Sequence, residues 1–231
     1  MRRRTGVTLV IPAWNEAESI GRVLDEVPRD TVDEILVVVA ADDDPTALVA
    51  RGRGARVLVQ DARGYGAACW TGAQAAMAAN ARIVAFLDGD YADPPAALPR
   101  LVAPITAGRA DLVLGRRDLR RFPAALPPHA RFGNHLVLLL LRVLVRSQAF
   151  GDLPSFKVIR ADALRRLELH EMTYGWTIEM LIKAARAGLR MEEVDVEYRP
   201  RLGGRSKVGG SWRGSVAAGW TLLACVWANS Q

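Results

Sequence analysis

Ile83-Val84-Ala85-Phe86-Leu87-Asp88-Gly89-Asp90 decides how this chain is read. The unbroken apolar run over residues 83–87 fits a strand covered on both faces, as in a parallel sheet. Two carboxylates, one residue apart, follow where the strand runs out. At the carboxyl edge of such a sheet their side chains can converge on one point. Hard oxygen ligands there suit a divalent cation that also holds phosphate oxygens. Such a cation neutralises charge on a departing diphosphate. The same letters also fit a solvated acidic turn, since Asp-Gly is a turn signal.

Around that stretch, strand and helix alternate. Residues 7–11 are a short apolar run ended by Pro12, and residues 16–27 place Ile20, Val23, Leu24 and Val27 at helical spacing. Residues 34–39 read as a second strand, 46–51 as a short helix and 57–59 as a third strand. The alanine-rich residues 66–80 and residues 95–107 read as helices, and 112–114 as a brief fifth strand. Repeated units of this length predict an α/β fold with a mostly parallel sheet and helices on both faces. Ligands then bind at the carboxyl ends of the strands.

After Gly115 the pattern changes. Arg116, Arg117, Arg120 and Arg121 form a basic patch, followed by the proline-rich residues 123–128, and together they read as a loop. Residues 132–146 predict a helix with an almost continuous apolar surface. Residues 156–159 read as a strand and 161–167 as a short helix. Residues 175–187 read as a helix with Ile178, Leu181, Ile182 and Ala185 on one face, stopped by Gly188. Residues 191–198 alternate Val194 and Val196 with Asp195 and Glu197, the pattern of a half-buried strand. Neither an internal repeat nor a linker is legible, so the expectation is one domain over residues 1–231.

Hydrophobic residues make up 50% and charged residues 24% of the 231, which excludes a chain dominated by disorder. The net charge of +6 favours an anionic partner: nucleic acid, an anionic membrane surface or a nucleotide-linked substrate. The arginines are not interleaved with aromatics or set along a reading helix, which argues against nucleic acid. Cys69 and Cys225 form neither a disulfide framework nor a Cys-x-x-Cys pattern, in keeping with a reducing cytoplasm. His129, His135 and His170 lack metal-ligand spacing. Arg2, Arg3 and Arg4 precede an apolar run, but Pro12, Asn15 and Glu16 interrupt it before a signal peptide is complete. Residues 136–145 and 216–228 fall short of the about 20 apolar residues that cross a bilayer, and read as buried or interfacial helices.

The order of motifs resembles family 2 glycosyltransferases. Ile11-Pro12-Ala13-Trp14-Asn15-Glu16 is similar to their opening strand and loop, and Asp88-Gly89-Asp90 to their metal-binding DxD motif, with Asp93-Pro94 following. Arg63-Gly64-Tyr65-Gly66 resembles the glycine-containing turn before the preceding helix. Gly151-Asp152, then Phe156-Lys157-Val158-Ile159-Arg160, resembles the acceptor-side segment of the polyprenyl-phosphate (dolichyl-phosphate mannosyltransferase-like) sugar transferases. Tyr174-Gly175-Trp176 with Glu179, then Arg205-Ser206-Lys207, is similar to their C-terminal signature. The resemblance spans residues 7–220 and implies the GT-A fold. A Rossmann-like half over about residues 5–115 would bind the nucleotide sugar, and an acceptor-side half would follow over about 116–231.

That likeness implies roles by position. Asp88 and Asp90 would hold Mg2+ or Mn2+, with Asp90 the nearer ligand. Pro12, Ala13, Asn15, Glu16, Gly64 and Gly89 would join them around the nucleotide-diphosphate sugar. Asn15 also fits a plain helix cap. Arg205 and Lys207 would meet a phosphate, and Gly203, Gly204, Gly209 and Gly210 suit a loop that closes over a ligand. Asp152 fits either the catalytic base, orienting the acceptor, or a turn residue. Trp176 fits a surface for sugar or lipid, or the core. Glu179 fits an acceptor contact or an exposed helix position. Val39, with Ala40 and Ala41 after it, stands where the family places a base-binding aspartate, so the base stays open. Asp42, Asp43 and Asp44 read as solvated, with one of them a candidate substitute.

The expected activity is an inverting, metal-dependent transfer from a nucleotide-diphosphate sugar to a polyprenyl phosphate. The apolar helices and the arginine patch would dock a cytoplasmic protein peripherally at the inner membrane face. Relatives of that kind often carry membrane-spanning helices after the catalytic part. None is legible before Gln231, which leaves a peripheral enzyme or a non-lipid acceptor. The alternatives are a soluble or lipid hydroxyl acceptor, and a nucleotide-binding relative without turnover.

Overall fold

The computed structural model describes residues 5–126, Pro128, Arg131, Asn134, His135, Leu138, Leu139 and residues 151–202. Four strands run parallel: β1 (Val7–Pro12), β2 (Glu34–Val39), β3 (Arg56–Val59) and β4 (Ile83–Phe86). They are joined by helices α1 (Ala17–Glu26), α2 (Pro45–Gly52) and α3 (Tyr65–Ala78). The chain continues through α4 (Leu98–Thr106), β5 (Leu112–Asp118), β6 (Lys157–Arg160), α5 (Ala161–Arg166), α6 (Trp176–Arg186) and β7 (Met191–Glu197). One sheet holds these strands in the order β3-β2-β1-β4-β6-β5-β7. β6 lies antiparallel between β4 and β5, and β7 pairs parallel with β5. The α/β class and the mostly parallel sheet follow the sequence expectation.

Strands β1, β2 and β4 are apolar but for Thr8 and Glu34 because each feeds two cores. Val10, Val38, Val84 and Phe86 face α3, α5 and α6. Leu9, Ile11, Val37 and Ala85 face α1, α2 and α4. Successive residues of a strand alternate faces, so a strand buried on both sides needs no polar residue. The small residues of α3 let it lie close on the sheet: a Cβ at Gly72 would stand 2.3 Å from Val10 Cγ1. β1 has β2 on one side and β4 on the other, so the chain order reverses between β1 and β4. The carboxyl ends of these two strands flank the crevice where open α/β sheets take ligands.

One boundary differs in kind. β5 does not stop at Leu114; residues 115–118 continue it, pairing with Val194 to Glu197 of β7. The expected loop at Arg116 and Arg117 is therefore a strand. Charge pairing across neighbouring strands replaces apolar alternation there. Arg116 meets Asp195 (2.6 Å) and Glu193 (3.5 Å), and beyond the strand Arg121 meets Glu197 (2.9 Å). Arg120 pairs with Asp118 (2.6 Å). The patch carries its own acids, which weakens it as a membrane-docking surface. No helix among the described residues is long and apolar enough to cross a membrane. Of the expected elements, residues 203–210 and the apolar stretch 216–228 lie outside the described residues, as does most of the helix expected at 132–146.

Candidate active site

Two loops meet at the crevice. After β1, the Ala13 N–H donates to the Val38 carbonyl (2.8 Å), which carries the chain across the end of β2. Asn15 takes a left-handed backbone (φ 54), which asparagine tolerates, and its N–H donates to Asp44 Oδ2 (3.0 Å). The expected Asn15 cap is thus corrected: Glu16 stands at the N-cap of α1, without a side-chain capping bond. The second loop follows β4. Ser19 Oγ bridges the two, 2.7 Å from the Gly89 carbonyl and 3.1 Å from Glu16 Oε2. A Cβ at Gly89 would lie 3.2 Å from Ala13 Cβ, so the glycine lets the loops close-pack. The structure thereby brings Pro12, Ala13, Glu16, Asp88, Gly89 and Asp90 to one rim.

Asp90 and Asp93 are buried, and Asp88 is half-buried with its Oδ1 enclosed. Asp90 Oδ1 accepts from the Ala92 N–H (2.9 Å), and Oδ2 faces Arg201 Nη1 (2.9 Å). The chain after β7 delivers that arginine: Arg199 N–H donates to the Ala92 carbonyl (2.8 Å) and Leu202 N–H to the Asp90 carbonyl (3.3 Å). Asp93 Oδ2 accepts from Ser155 Oγ (3.0 Å), while Asp93 Oδ1 and Asp88 Oδ1 are enclosed with no partner. Burial, reinforced by the charge of Asp90, pushes the Asp88 carboxyl up to about 6, against Lys157 and Arg201. Burial, with the charges of Asp88 and Asp90, pushes Asp93 up to about 7. Lys157 lies beneath them, fully buried, with Nζ donating to Pro154 O (3.1 Å) and Thr177 Oγ1 (2.8 Å). Burial pulls it down to about 8, opposed by Cys69, Asp88 and Asp93.

A buried carboxylate oxygen without a partner is costly, and a divalent cation is a fitting occupant for hard oxygens so placed. Among the described residues no group of three or more His, Cys, Asp or Glu side chains could hold a metal. The candidate is therefore the pair Asp88 and Asp90.

Four other expected site residues are committed elsewhere. Asp152 forms a two-pronged ion pair with Arg117 (Nε–Oδ2 2.6 Å, and Nη2 to Oδ1). It also accepts from Asn134 Nδ2 (2.8 Å) and from the backbone N–H groups of Arg117 (3.1 Å) and Leu153 (2.8 Å). With about four lone-pair sites, a carboxylate so held has none left for a further donor. Trp176 is fully buried, edge-on to Phe86 with centroids 4.9 Å apart, so the expected stacking surface is corrected to core. Glu179 is buried as well. It accepts from the N–H groups of His170 (2.9 Å) and Glu171 (2.8 Å) and pairs with Lys183 (2.8 Å). The loop it holds covers the start of α3, where Ala67 N–H donates to Met172 O (2.9 Å) and Gly66 N–H to Thr173 O (3.2 Å). Gly64 lies under that loop: a Cβ there would sit 2.1 Å from Met172 O. Gly64 and Glu179 thus both fix the loop over the start of α3.

The three aspartates after β2 also separate. Asp44 Oδ1 caps α2 through the Thr46 N–H (2.9 Å), and Asp42 is ion-paired with Arg51. Val39 is fully buried and presents no polar group to a base. Arg205 and Lys207 lie outside the described residues. Sequence reasoning missed Arg201, Lys157 and Tyr65 as parts of the site. The legible signal was Lys157 itself, a lysine on an otherwise apolar strand.

A family model described as glycosyl transferase family 2 matches residues 8–168. A glycosyltransferase of Mycobacterium tuberculosis, itself uncharacterized, is 42% identical over 214 residues, 92% of this chain and 94% of its own length. A dolichyl-phosphate hexose transferase of Haloferax volcanii is 32% identical over 198 residues, 85% of this chain and 84% of its own. Glucosyl-3-phosphoglycerate synthase from Mycobacterium tuberculosis, solved with Mn2+, UDP-glucose and phosphoglyceric acid, superposes with a TM-score of 0.77. At 24% identity, covering 97% of this chain and 79% of that one, it shows the shared GT-A fold. Family match and fold agree: the chain belongs to glycosyl transferase family 2 and is a glycosyltransferase.

Proposed function

We propose that this enzyme moves a sugar from a nucleoside diphosphate to the phosphate of an acceptor, with polyprenyl phosphate at the cytoplasmic membrane face the favoured one. The observation that carries the proposal is the partnerless Asp88 oxygen beside Asp90 at the crevice between β1 and β4. These two carboxylates would hold the divalent cation, and Glu16, Ala13 and Gly89 form the wall beside it. Bound there, Mg2+ or Mn2+ would supply positive charge against the departing diphosphate. Arg201 adds a guanidinium at the same rim, suited to a phosphate oxygen. Residues 5–115 would then serve the donor and residues 116–231 the acceptor, with Arg205 and Lys207 as further phosphate contacts.

Asp152 bears on the acceptor class. Its two oxygens already accept from Arg117, Asn134 and two backbone N–H groups, which leaves no acceptor site directed at an incoming hydroxyl. A phosphate acceptor is already ionised and needs no base, whereas a hydroxyl needs one. In the transfer, an acceptor phosphate oxygen bonds to the anomeric carbon from the face opposite the diphosphate. The bond from that carbon to the diphosphate oxygen breaks, its electron pair leaves with the diphosphate, and the anomeric centre inverts. The Haloferax relative named for dolichyl phosphate supports the lipid phosphate. The fold neighbour solved with phosphoglyceric acid makes a small soluble phosphate the second reading.

The test is a transfer assay with a panel of sugar nucleotides and Mn2+. Polyprenyl phosphate, the matching polyprenol and 3-phosphoglycerate serve as acceptors, and Asp88→Asn as the control. Transfer to polyprenyl phosphate alone, lost in Asp88→Asn, is the expected result. Efficient transfer to the polyprenol would overturn the phosphate assignment, and transfer to phosphoglycerate alone would replace the lipid.

A further inference from the structure

Four buried side-chain nitrogen or oxygen atoms among the described residues have no hydrogen-bond partner: Tyr65 OH, Asp88 Oδ1, Asp93 Oδ1 and Trp176 Nε1. All four surround the carboxyl end of β4. Trp176 packs on Phe86, and Tyr65 packs on the same apolar cluster. Such atoms are rare in native interiors, and each calls for an explanation.

We propose that Tyr65 is a positioning residue whose hydroxyl donates to Asp88 when the carboxylate takes up a cation. The inference rests on Asp88 being a cation ligand. Donor and acceptor are chemically matched, a phenol and a carboxylate oxygen, and both are at present unused. The groups acting on the Tyr65 hydroxyl are Asp88 and Cys69. Cys69 is a weak acceptor one turn along α3. The groups that act on Asp88 or are acted on by it are Tyr65, Cys69, Lys157, Ser155, Asp90, Asp93 and Arg201. Ser155 gives its proton to Asp93 (3.0 Å), and Lys157 donates to Pro154 and Thr177. Of the two partnerless donors, the Tyr65 hydroxyl and the Trp176 indole N–H, it is Tyr65 that acts on Asp88.

A ligating carboxylate turns about its own axis unless its other oxygen is held, which is why donors behind a metal ligand tune affinity. Tyr65 is well fixed for that purpose. It is the first residue of α3, and the loop tied down by Glu179 clamps the amino end of that helix through Met172 and Thr173. The Glu179 carboxylate, the loop, Tyr65 and Asp88 form one line of support running from α6 to the rim.

Tyr65→Phe removes the hydroxyl alone. Mn2+ binding to the donor-free protein is read by the electron-spin signal of free Mn2+, beside melting curves in EDTA. The expected result is Mn2+ affinity about tenfold weaker, the lower range for loss of a supporting donor, with an unchanged or slightly higher melting temperature. Asp88→Asn and the double variant complete the cycle, and Tyr65→Phe should add little to Asp88→Asn. Wild-type affinity in Tyr65→Phe, with affinity lost in Asp88→Asn, sinks the role of Tyr65 and leaves the cation site standing. Wild-type affinity in Asp88→Asn removes the cation site and this proposal together. A full tenfold loss added by Tyr65→Phe in the Asp88→Asn background also overturns it, because the hydroxyl then acts elsewhere.

Discussion

Arg201 Nη1 lies 2.9 Å from Asp90 Oδ2, so a guanidinium rests on a carboxylate proposed above to hold a metal ion. The two cations compete for one carboxylate. A partly exposed ion pair is worth about 1 kcal/mol, roughly a factor of 5 in an equilibrium. Arg201→Met is therefore expected to tighten Mn2+ binding to the donor-free enzyme about fivefold. Titration calorimetry checks this, and unchanged affinity would show that Arg201 and the ion use different oxygens.

Gly64 and Met172 set the next expectation. A Cβ at position 64 would sit 2.1 Å from a backbone carbonyl oxygen, and the residue holds φ +147. Gly64→Ala should cost about 2–4 kcal/mol, the range for a forced backbone shift. Gly108→Ala is the control, since Gly108 has φ +69 and nothing within 4 Å, leaving only the conformational cost of about 1 kcal/mol. Urea denaturation of the two variants measures the gap. Equal losses would mean that the loop over α3 yields freely.

The raised carboxyls predict a pH effect on the metal-free protein. Asp88 and Asp93 stand at about 6 and about 7 in the fold against 3.8 as reference. Between those values the folded state binds more protons than the unfolded one. Their contribution is most favourable below about 4 and is lost as pH rises through 6 and 7. Lys157, lowered from 10.5 to about 8, is charged in both states over this window and does not oppose the trend. In EDTA the share of stability from these two acids should fall from pH 4 to 7, and Asp88→Asn with Asp93→Asn should flatten that slope. Melting curves across this range, variant against wild type, decide it. Parallel slopes would show the two acids to be ordinary.

The strands near the rim were legible because their letters have one physical explanation. Residues 83–87 are apolar throughout, and helices cover the sheet on both faces. Asp88 and Asp90 were legible because they end such a strand. β5 past Leu114 was not, because Arg116 and Arg117 read as loop until the acids of β7 lie beside them. Asp152 and Glu179 carry suitable chemistry, yet their partners come from distant residues: Arg117 for one, and the backbone of His170 and Glu171 for the other. Spacing along a chain does not disclose which carboxylates are already spent.

The arginine patch yields an expectation about membranes. Arg116, Arg120 and Arg121 each sit on an acid of β5 or β7, and Arg117 on Asp152. Attraction of basic residues to anionic lipid needs uncompensated charge. Replacing Arg116, Arg120 and Arg121 by serine should change flotation with phosphatidylserine vesicles less than twofold. A larger loss would return the patch to the docking surface.

β6 bonds to β4 on one side and to β5 on the other, so a single ladder runs unbroken from β3 to β7. Hinged lobes need a seam, and this ladder offers none. The floor of the crevice is stiff, and any rearrangement there must come from segments that rise above the strands. Screens for altered donor or acceptor choice therefore belong in the crossing loops, where substitutions leave the ladder intact.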